Sequence, residues 1–277
     1  MRFELDAEHR DFAASLDALL GAAGTPAVAR AWADGDHEPG LALWARLAEL
    51  GVTSVADAPV FLAVAFERLG FHAVPGPWVE SVAYLGREDG IGTVAVPPHV
   101  PLALDADAAG LPGLGAPQVS VDRTRRLFQV EATEAVDEAA FDRAVLAVSA
   151  QLLGAGERVL ADSVAYVKQR RQFGRPIGSY QAVKHALADV RIALDFARPL
   201  VLGAALGEVP TSAAKVAAGD AAYRSARTGL QVHGAIGYTA ELDLSLWLTK
   251  IRALLTAWGT PAVHRQRLLE ALTDGAV

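Results

Sequence analysis

The sequence predicts a mainly α protein with an N-terminal helical domain (1–86), a reduced middle β segment (87–135) and a C-terminal antiparallel four-helix bundle (136–277). Three textures along the 277 residues predict it. Apolar side chains recur at helical spacing in the first zone. Short apolar or alternating runs separated by prolines fill the second. Long apolar stripes joined by brief Gly/Pro breaks make up the third, and short connections between long helices imply antiparallel neighbours.

In the first zone Phe12, Leu16 and Leu19/Leu20 mark one helix, and Leu43, Leu47 and Leu50 another. Gly51, Pro59 and the cluster Pro75-Gly76-Pro77 break the zone up. In the second, Thr93-Val94-Ala95-Val96, Leu102-Ala103-Leu104 and Leu127-Phe128-Gln129-Val130 read as short strands set between prolines. In the third, Val145, Val148, Leu152, Ala155, Val159 and Tyr166 stripe a long helix, which Gly174 and Pro176 are expected to end. Val183, Leu187, Val190, Leu194, Ala197, Val201 and Ala204 stripe a second, with Ser179 as its expected cap and Pro199 as an expected kink. A third runs from about Ser212 to His233, capped by Thr211 or Ser212. A fourth carries Leu244, Trp247, Ile251, Leu254, Leu255 and Trp258, and Pro261 suits the first turn of a short final helix.

Composition narrows the function classes. Apolar residues make up 52% and charged residues 21%, and mean hydropathy is +0.25, a supply rich enough to cover a partner as well as a core. No uninterrupted apolar run approaches the roughly 18–20 residues that cross a bilayer. The start, Met1-Arg2-Phe3-Glu4-Leu5-Asp6, lacks the apolar stretch of a secretory signal. The absence of cysteine excludes disulfides, thiolate zinc sites and a cysteine nucleophile. A net charge of −7 argues against nonspecific binding to nucleic acid or to an anionic membrane. A cytoplasmic globular protein without a metal is the expectation, since the seven histidines show no metal-ligand spacing.

Two segments carry chemical interest. The first, Tyr166-Val167-Lys168-Gln169-Arg170-Arg171-Gln172-Phe173-Gly174-Arg175-Pro176-Ile177, places three arginines near a helix end. They could simply complement the helix dipole there, or form a clamp for phosphate oxygens. Phe173 is either a core plug or a platform for an aromatic ring. The second, Gln231-Val232-His233-Gly234-Ala235-Ile236-Gly237-Tyr238, either only terminates a helix or lets a ligand approach the backbone. His233 reads more simply as a structural histidine than as a ligand.

Together, in this order and with Tyr180-Gln181 and Leu187-Ala188-Asp189 between them, the two segments resemble the C-terminal domain of the acyl-CoA dehydrogenases. The resemblance is strong over roughly 140–265. It is weaker in the N-terminal zone, where Glu67-Arg68-Leu69-Gly70 and the Pro-Gly-Pro turn carry it. It implies FAD as cofactor, an acyl-CoA substrate and an electron-transfer flavoprotein-type acceptor. It also implies that Arg170 meets the flavin pyrophosphate, that Phe173 packs near the ribityl or adenine portion, and that Gln181, Gln231 and Gly234 line the same cleft. Ala235 adds a methyl group where the family usually has a second glycine.

Departures from the family are as informative as the likeness. The family's usual catalytic glutamate aligns with Trp258, and indole accepts no proton. The alternative base position of some relatives falls on Ala144. Glu241 is the nearest spare carboxylate, read as a structural residue early in a helix. The middle zone is too short for the family's whole β-domain. The resemblance therefore implies the smaller subunit of a hetero-oligomer, of the α2β2 type found in bacterial steroid breakdown. A larger acyl-CoA dehydrogenase-like subunit would supply the base. A self-sufficient homo-oligomer using Glu241, a flavoenzyme of other chemistry such as an oxidase, and a non-catalytic scaffold are the alternatives.

Overall fold

The computed structural model describes residues 4–131 and 135–274. Helices dominate, as the periodicity predicts. In the first zone α1 (Ala7–Ala22) begins where the Asp6 carboxylate accepts from the His9 backbone N–H at 3.1 Å. It is followed by α2 (Thr25–Ala33), α3 (Glu38–Glu49) and α4 (Pro59–Phe71), the last three each with proline in the first turn, where a missing N–H costs nothing. A single π-helical turn, Val79–Tyr84, closes the zone.

The middle segment keeps only a fragment of sheet. Strand β1 (Ala103–Leu104) pairs antiparallel with β2 (Leu127–Phe128), Ala103 facing Phe128. The run Thr93–Val96 forms no strand; a lone bridge joins Val96 to Val100. Pro97, Pro98 and Pro101 supply no N–H around it, so no longer ladder can grow.

The third zone holds α5 (Glu138–Gln169), α6 (Gln181–Ala205), α7 (Thr211–His233), α8 (Leu244–Leu254) and α9 (Pro261–Asp274). Helix α5 touches α6, α7 and α8, and α7 touches α6, α8 and α9. By length and composition α5 could cross a bilayer, but 83% of its most apolar stretch is buried within the protein, so it reads as a core helix.

Several local expectations are corrected. Helix α5 stops at Gln169, ahead of Gly174 and Pro176, because Arg170 turns extended. A hairpin the periodicity could not show follows, β3 (Arg171–Gln172) against β4 (Arg175–Pro176). Ser179 does not cap α6; its hydroxyl donates to the Pro176 carbonyl at 2.7 Å, and Tyr180 holds the cap position. Neither Thr211 nor Ser212 caps α7, since their hydroxyls go to Asp142 and His264. Trp258 lies beyond α8, in the turn to α9, with φ +55°, and α9 is a full 14 residues.

One hydrophobic core runs from Leu16 in α1 to Trp258, with Ala103, Ala106 and Phe128 forming a small second cluster. The N-terminal helices join the C-terminal ones where α4 crosses α5 backbone to backbone. A methyl group at Gly70 would overlap the Gln151 carbonyl, and one at Gly154 would overlap the Glu67 carbonyl. The Trp247 indole reaches the same crossing and donates to the Gly70 and Phe71 carbonyls at 3.2 and 3.0 Å. Across the neighbouring face Arg198 of α6 bridges Glu67 of α4 (2.8 Å) and Glu157 of α5 (3.0 Å).

Gly154→Ala is therefore expected to cost about 3 kcal/mol or more, because the colliding atoms are backbone and cannot rotate away. Gly21→Ala, in α1 with open space around it, is expected to be neutral or stabilising by about 0.5 kcal/mol. Urea unfolding of both variants checks the contrast; equal effects would contradict the crossing.

Candidate functional site

The residues expected to grip a dinucleotide gather at one end of the C-terminal helices. The Tyr166 ring, in the last turn of α5, stacks on His233, the last residue of α7, with centroids 4.3 Å apart. That contact joins the first segment to the second. From it leave the Arg171–Pro176 hairpin on one side and the Gly234–Tyr238 turn on the other. Gln181 opens α6 one short turn after the hairpin, and that turn rests on α5 where Gly178 abuts Val167. His233 donates from Nδ1 to the Gly229 carbonyl at 2.8 Å, which fits its structural reading.

The three arginines separate by role. Arg171 donates to the Gly174 carbonyl at 3.3 Å, inside the hairpin. The Arg175 guanidinium lies over the Tyr180 ring, 4.0 Å from its centroid. Arg170 is exposed and has no side-chain partner among the described residues. It is the guanidinium left available for an external anion.

Phe173 and Gly174 form the two-residue tip of the hairpin, both with positive φ (+52° and +81°), as the twist of such a turn requires. A phenylalanine there is strained, and it is 90% exposed. Gly234 has φ +65° and ψ −140°, a region open essentially to glycine alone. Gln231 lies in a groove on α7 beside Arg224, Arg227 and Tyr238. All five expected contact residues are exposed. The unpartnered Arg170 and the open backbone at Gly234 fit a dinucleotide's phosphate end.

The expected base positions are filled otherwise. Ala144 sits wholly buried on α5. Trp258 is 1% exposed, packed against Tyr84 and Phe141. Its indole N–H donates to Oε1 of Glu80 at 3.2 Å, and its carbonyl accepts from Nε2 of His264 at 2.9 Å. Ser212 completes the chain at His264 Nδ1, 3.0 Å away. Glu241 is exposed and precedes α8, outside any helix, so its early-helix reading is corrected.

Glu80 is the residue the sequence concealed. It stands in the apolar run Trp78-Val79-Glu80-Ser81-Val82, whose only signal was a carboxylate among hydrophobic neighbours. It is fully buried in the π-helical turn, and its Oε2 has no hydrogen-bond partner. Burial pushes its carboxyl above the usual carboxylate range. Burial likewise raises Asp105 to about 8, lowers Lys215 to about 7 and lowers His264 to about 4. The Lys215 amine donates to the Leu254 and Leu255 carbonyls, both at 3.0 Å, at the end of α8.

Asp105 keeps its proton to about pH 8 in the folded protein and loses it near 3.8 when unfolded. In that window the native state holds more protons, so this residue lowers stability as pH rises. His264 acts oppositely between about 4 and 6.5, and Lys215 between about 7 and 10.5. Their stabilisation is lost as pH falls through those windows. The advantage of Asp105→Asn over the parent should thus grow between pH 4 and 8 and then level off. Denaturation at pH 5, 7 and 9 measures it, and a pH-independent difference would contradict the assignment.

Residues 134–273 match the family model described as the acyl-CoA dehydrogenase C-terminal domain. Acyl-CoA dehydrogenase IpdE2 of Mycobacterium tuberculosis is 39% identical over 158 residues, covering 55% of this chain and 50% of that protein. The 3-sulfinopropanoyl-CoA desulfinase of Paraburkholderia xenovorans is 32% identical over 204 residues, 68% of this chain and 53% of that one. The chain thus spans about half the length of the curated relatives it matches. Among solved structures, butyryl-CoA dehydrogenase from Megasphaera elsdenii superposes with a TM-score of 0.81 at 20% identity, covering 99% of this chain and 100% of that one. The ChsE4–ChsE5 complex from Mycobacterium tuberculosis gives 0.79 at 22% identity over 99% of both chains. A steroid acyl-CoA dehydrogenase variant gives 0.77 at 22%, over 97% and 98%. With the two motifs at one end of its helices and a family model matching half its length, the chain belongs to the acyl-CoA dehydrogenase family.

Proposed function

We propose that this chain is the non-basic subunit of an FAD-dependent acyl-CoA dehydrogenase, paired with a larger homologue as an α2β2 assembly. The observation that supports this reading is Trp258: a buried indole, bonded to Glu80, stands at the position where the resemblance puts the family's proton acceptor. An indole at that point cannot take a proton from a substrate. Glu241, the alternative base, sits on an exposed turn and does not line the cavity at Trp258, and the carboxyl that does, Glu80, is fully buried and bonded to the indole itself.

The residues that remain suit a supporting task. Arg170 would pair with the pyrophosphate of FAD, with Gln181, Gln231 and the open backbone at Gly234 around it and Phe173 against the ribityl or adenine part. FAD, when bound, supplies the hydride acceptor for α,β-dehydrogenation of an acyl-CoA. This chain's part is to hold the anionic end of that cofactor and to cover it from water. The partner would supply the proton acceptor and the acyl-CoA site, and an electron-transfer flavoprotein-type carrier would take the electrons. The similarity to a complex of two chains and to a steroid acyl-CoA dehydrogenase supports the paired assembly and a bulky, steroid-type acyl group.

Co-expression with the larger partner and flavin quantification test the reading. About one FAD per heterodimer is expected. Arg170→Ala should weaken FAD retention roughly tenfold or more, the scale of a lost charge-assisted contact. Glu241→Gln should leave turnover of the complex unchanged. A flavin-loaded, active preparation of this chain alone, abolished by Glu241→Gln, would establish the homo-oligomer instead. A complex that never carries flavin would establish the scaffold.

A further inference from the structure

A cavity of about 490 Å³ opens beside Trp258, and none of the residues expected to hold FAD lines it. Its walls are the loop at His99, the β1–β2 fragment with Leu104 and Leu127, and the last turn of α8 with Arg252. Trp258 faces it, with Glu80 behind. The volume falls within the range of small-molecule sites, roughly 300–1,000 Å³.

Its charge is one-sided. Arg125 and Arg252 both line it, and neither side chain has a hydrogen-bond or ion-pair partner among the described residues. Glu80 is the one carboxyl in the wall, and burial favours its neutral form. One of its oxygens takes the Trp258 indole N–H while the other has no partner. Arg125 lies near enough to Glu80 to favour its ionised form, but neither guanidinium is paired, and the two set around aliphatic and indole surface suit a ligand with one anionic group and an apolar body. Glu80, with one oxygen unpartnered, and His99 are the other titratable groups in the wall; the indole at the expected base position takes no proton, and binding is the role the two guanidiniums support.

We propose that this cavity is a non-catalytic binding site for a small amphiphilic carboxylate, its headgroup held by Arg125 and Arg252 and its apolar body against Leu104, Leu127 and Trp258. The named walls all come from this chain, and the proposal stands whether or not the FAD-clamp reading holds.

Titration of the purified full chain with octanoate, octanol and octanoyl-CoA, followed by tryptophan fluorescence and calorimetry, tests it. Octanoate should bind saturably, one per chain, and octanol roughly tenfold more weakly. Arg125→Gln and Arg252→Gln should each weaken octanoate about tenfold and leave octanol unchanged. Ala257→Phe, which fills the space beside Trp258, should remove both ligands. Failure of octanoate to saturate, octanol binding as tightly as octanoate, or unchanged octanoate affinity in both arginine variants would overturn the proposal. Octanoyl-CoA binding more tightly than octanoate would overturn the carboxylate assignment. Flavin content of the complex, measured in the same variants, should not change; its loss through Arg170→Ala is a separate event.

Discussion

The whole arrangement depends on how closely α4 and α5 approach. Two glycines, Gly70 and Gly154, let the backbones meet with no side chain between them. Trp247 then fills the angle beside them and satisfies carbonyls that the close crossing would otherwise strand. Because α5 also serves as the central helix of the C-terminal group, this single crossing merges the first zone and the third into one core. The π-helical turn that carries Glu80 packs on α5 as well, so the position of Glu80 under Trp258 follows from the same contact.

Around Trp258 the protein has assembled polar groups where the interior is least hospitable to charge. Glu80, Asp105, Lys215 and His264 are all buried, and in each the neutral form is favoured by loss of water. Such a set is costly unless the groups bond to one another or to the backbone. Ser212, His264 and the Trp258 carbonyl make one such chain, and Lys215 with the end of α8 makes another. The indole is held from its ring nitrogen, its carbonyl and its ring faces at once. A left-handed φ at a tryptophan needs restraint of that kind.

Much of the fold was legible because period and punctuation are local. The stripes of α5, α6 and α7 and the proline opening of α9 appear where the apolar spacing put them, whereas Pro59, read as a break, instead opens α4. The hairpin after Gln169 was not legible, since four residues in two short strands leave no periodic trace. The same limit hid the loss of a strand at Thr93–Val96, where neighbouring prolines decide the matter. Glu67-Arg68-Leu69-Gly70 carried only a faint signal as a motif. The structure gives it a physical meaning: Glu67 binds Arg198 and Gly70 permits the helix crossing. Arg170, Phe173 and Gly234 could be read from their segments, but their gathering at one end depends on a ring stack between Tyr166 and His233, residues far apart in sequence. Glu80, Arg125 and Arg252 could not be found that way, because they come from three unrelated stretches that only the folded core brings to one cavity.

The hairpin tip has a consequence for how this protein is made. A phenylalanine held in a strained conformation and turned almost entirely to water carries two costs, strain and exposed apolar surface. A copy with that tip uncovered invites adhesion to other molecules and surveillance by chaperones and proteases. Cells would then gain from keeping its synthesis in step with whatever covers the tip, so that surplus copies do not accumulate.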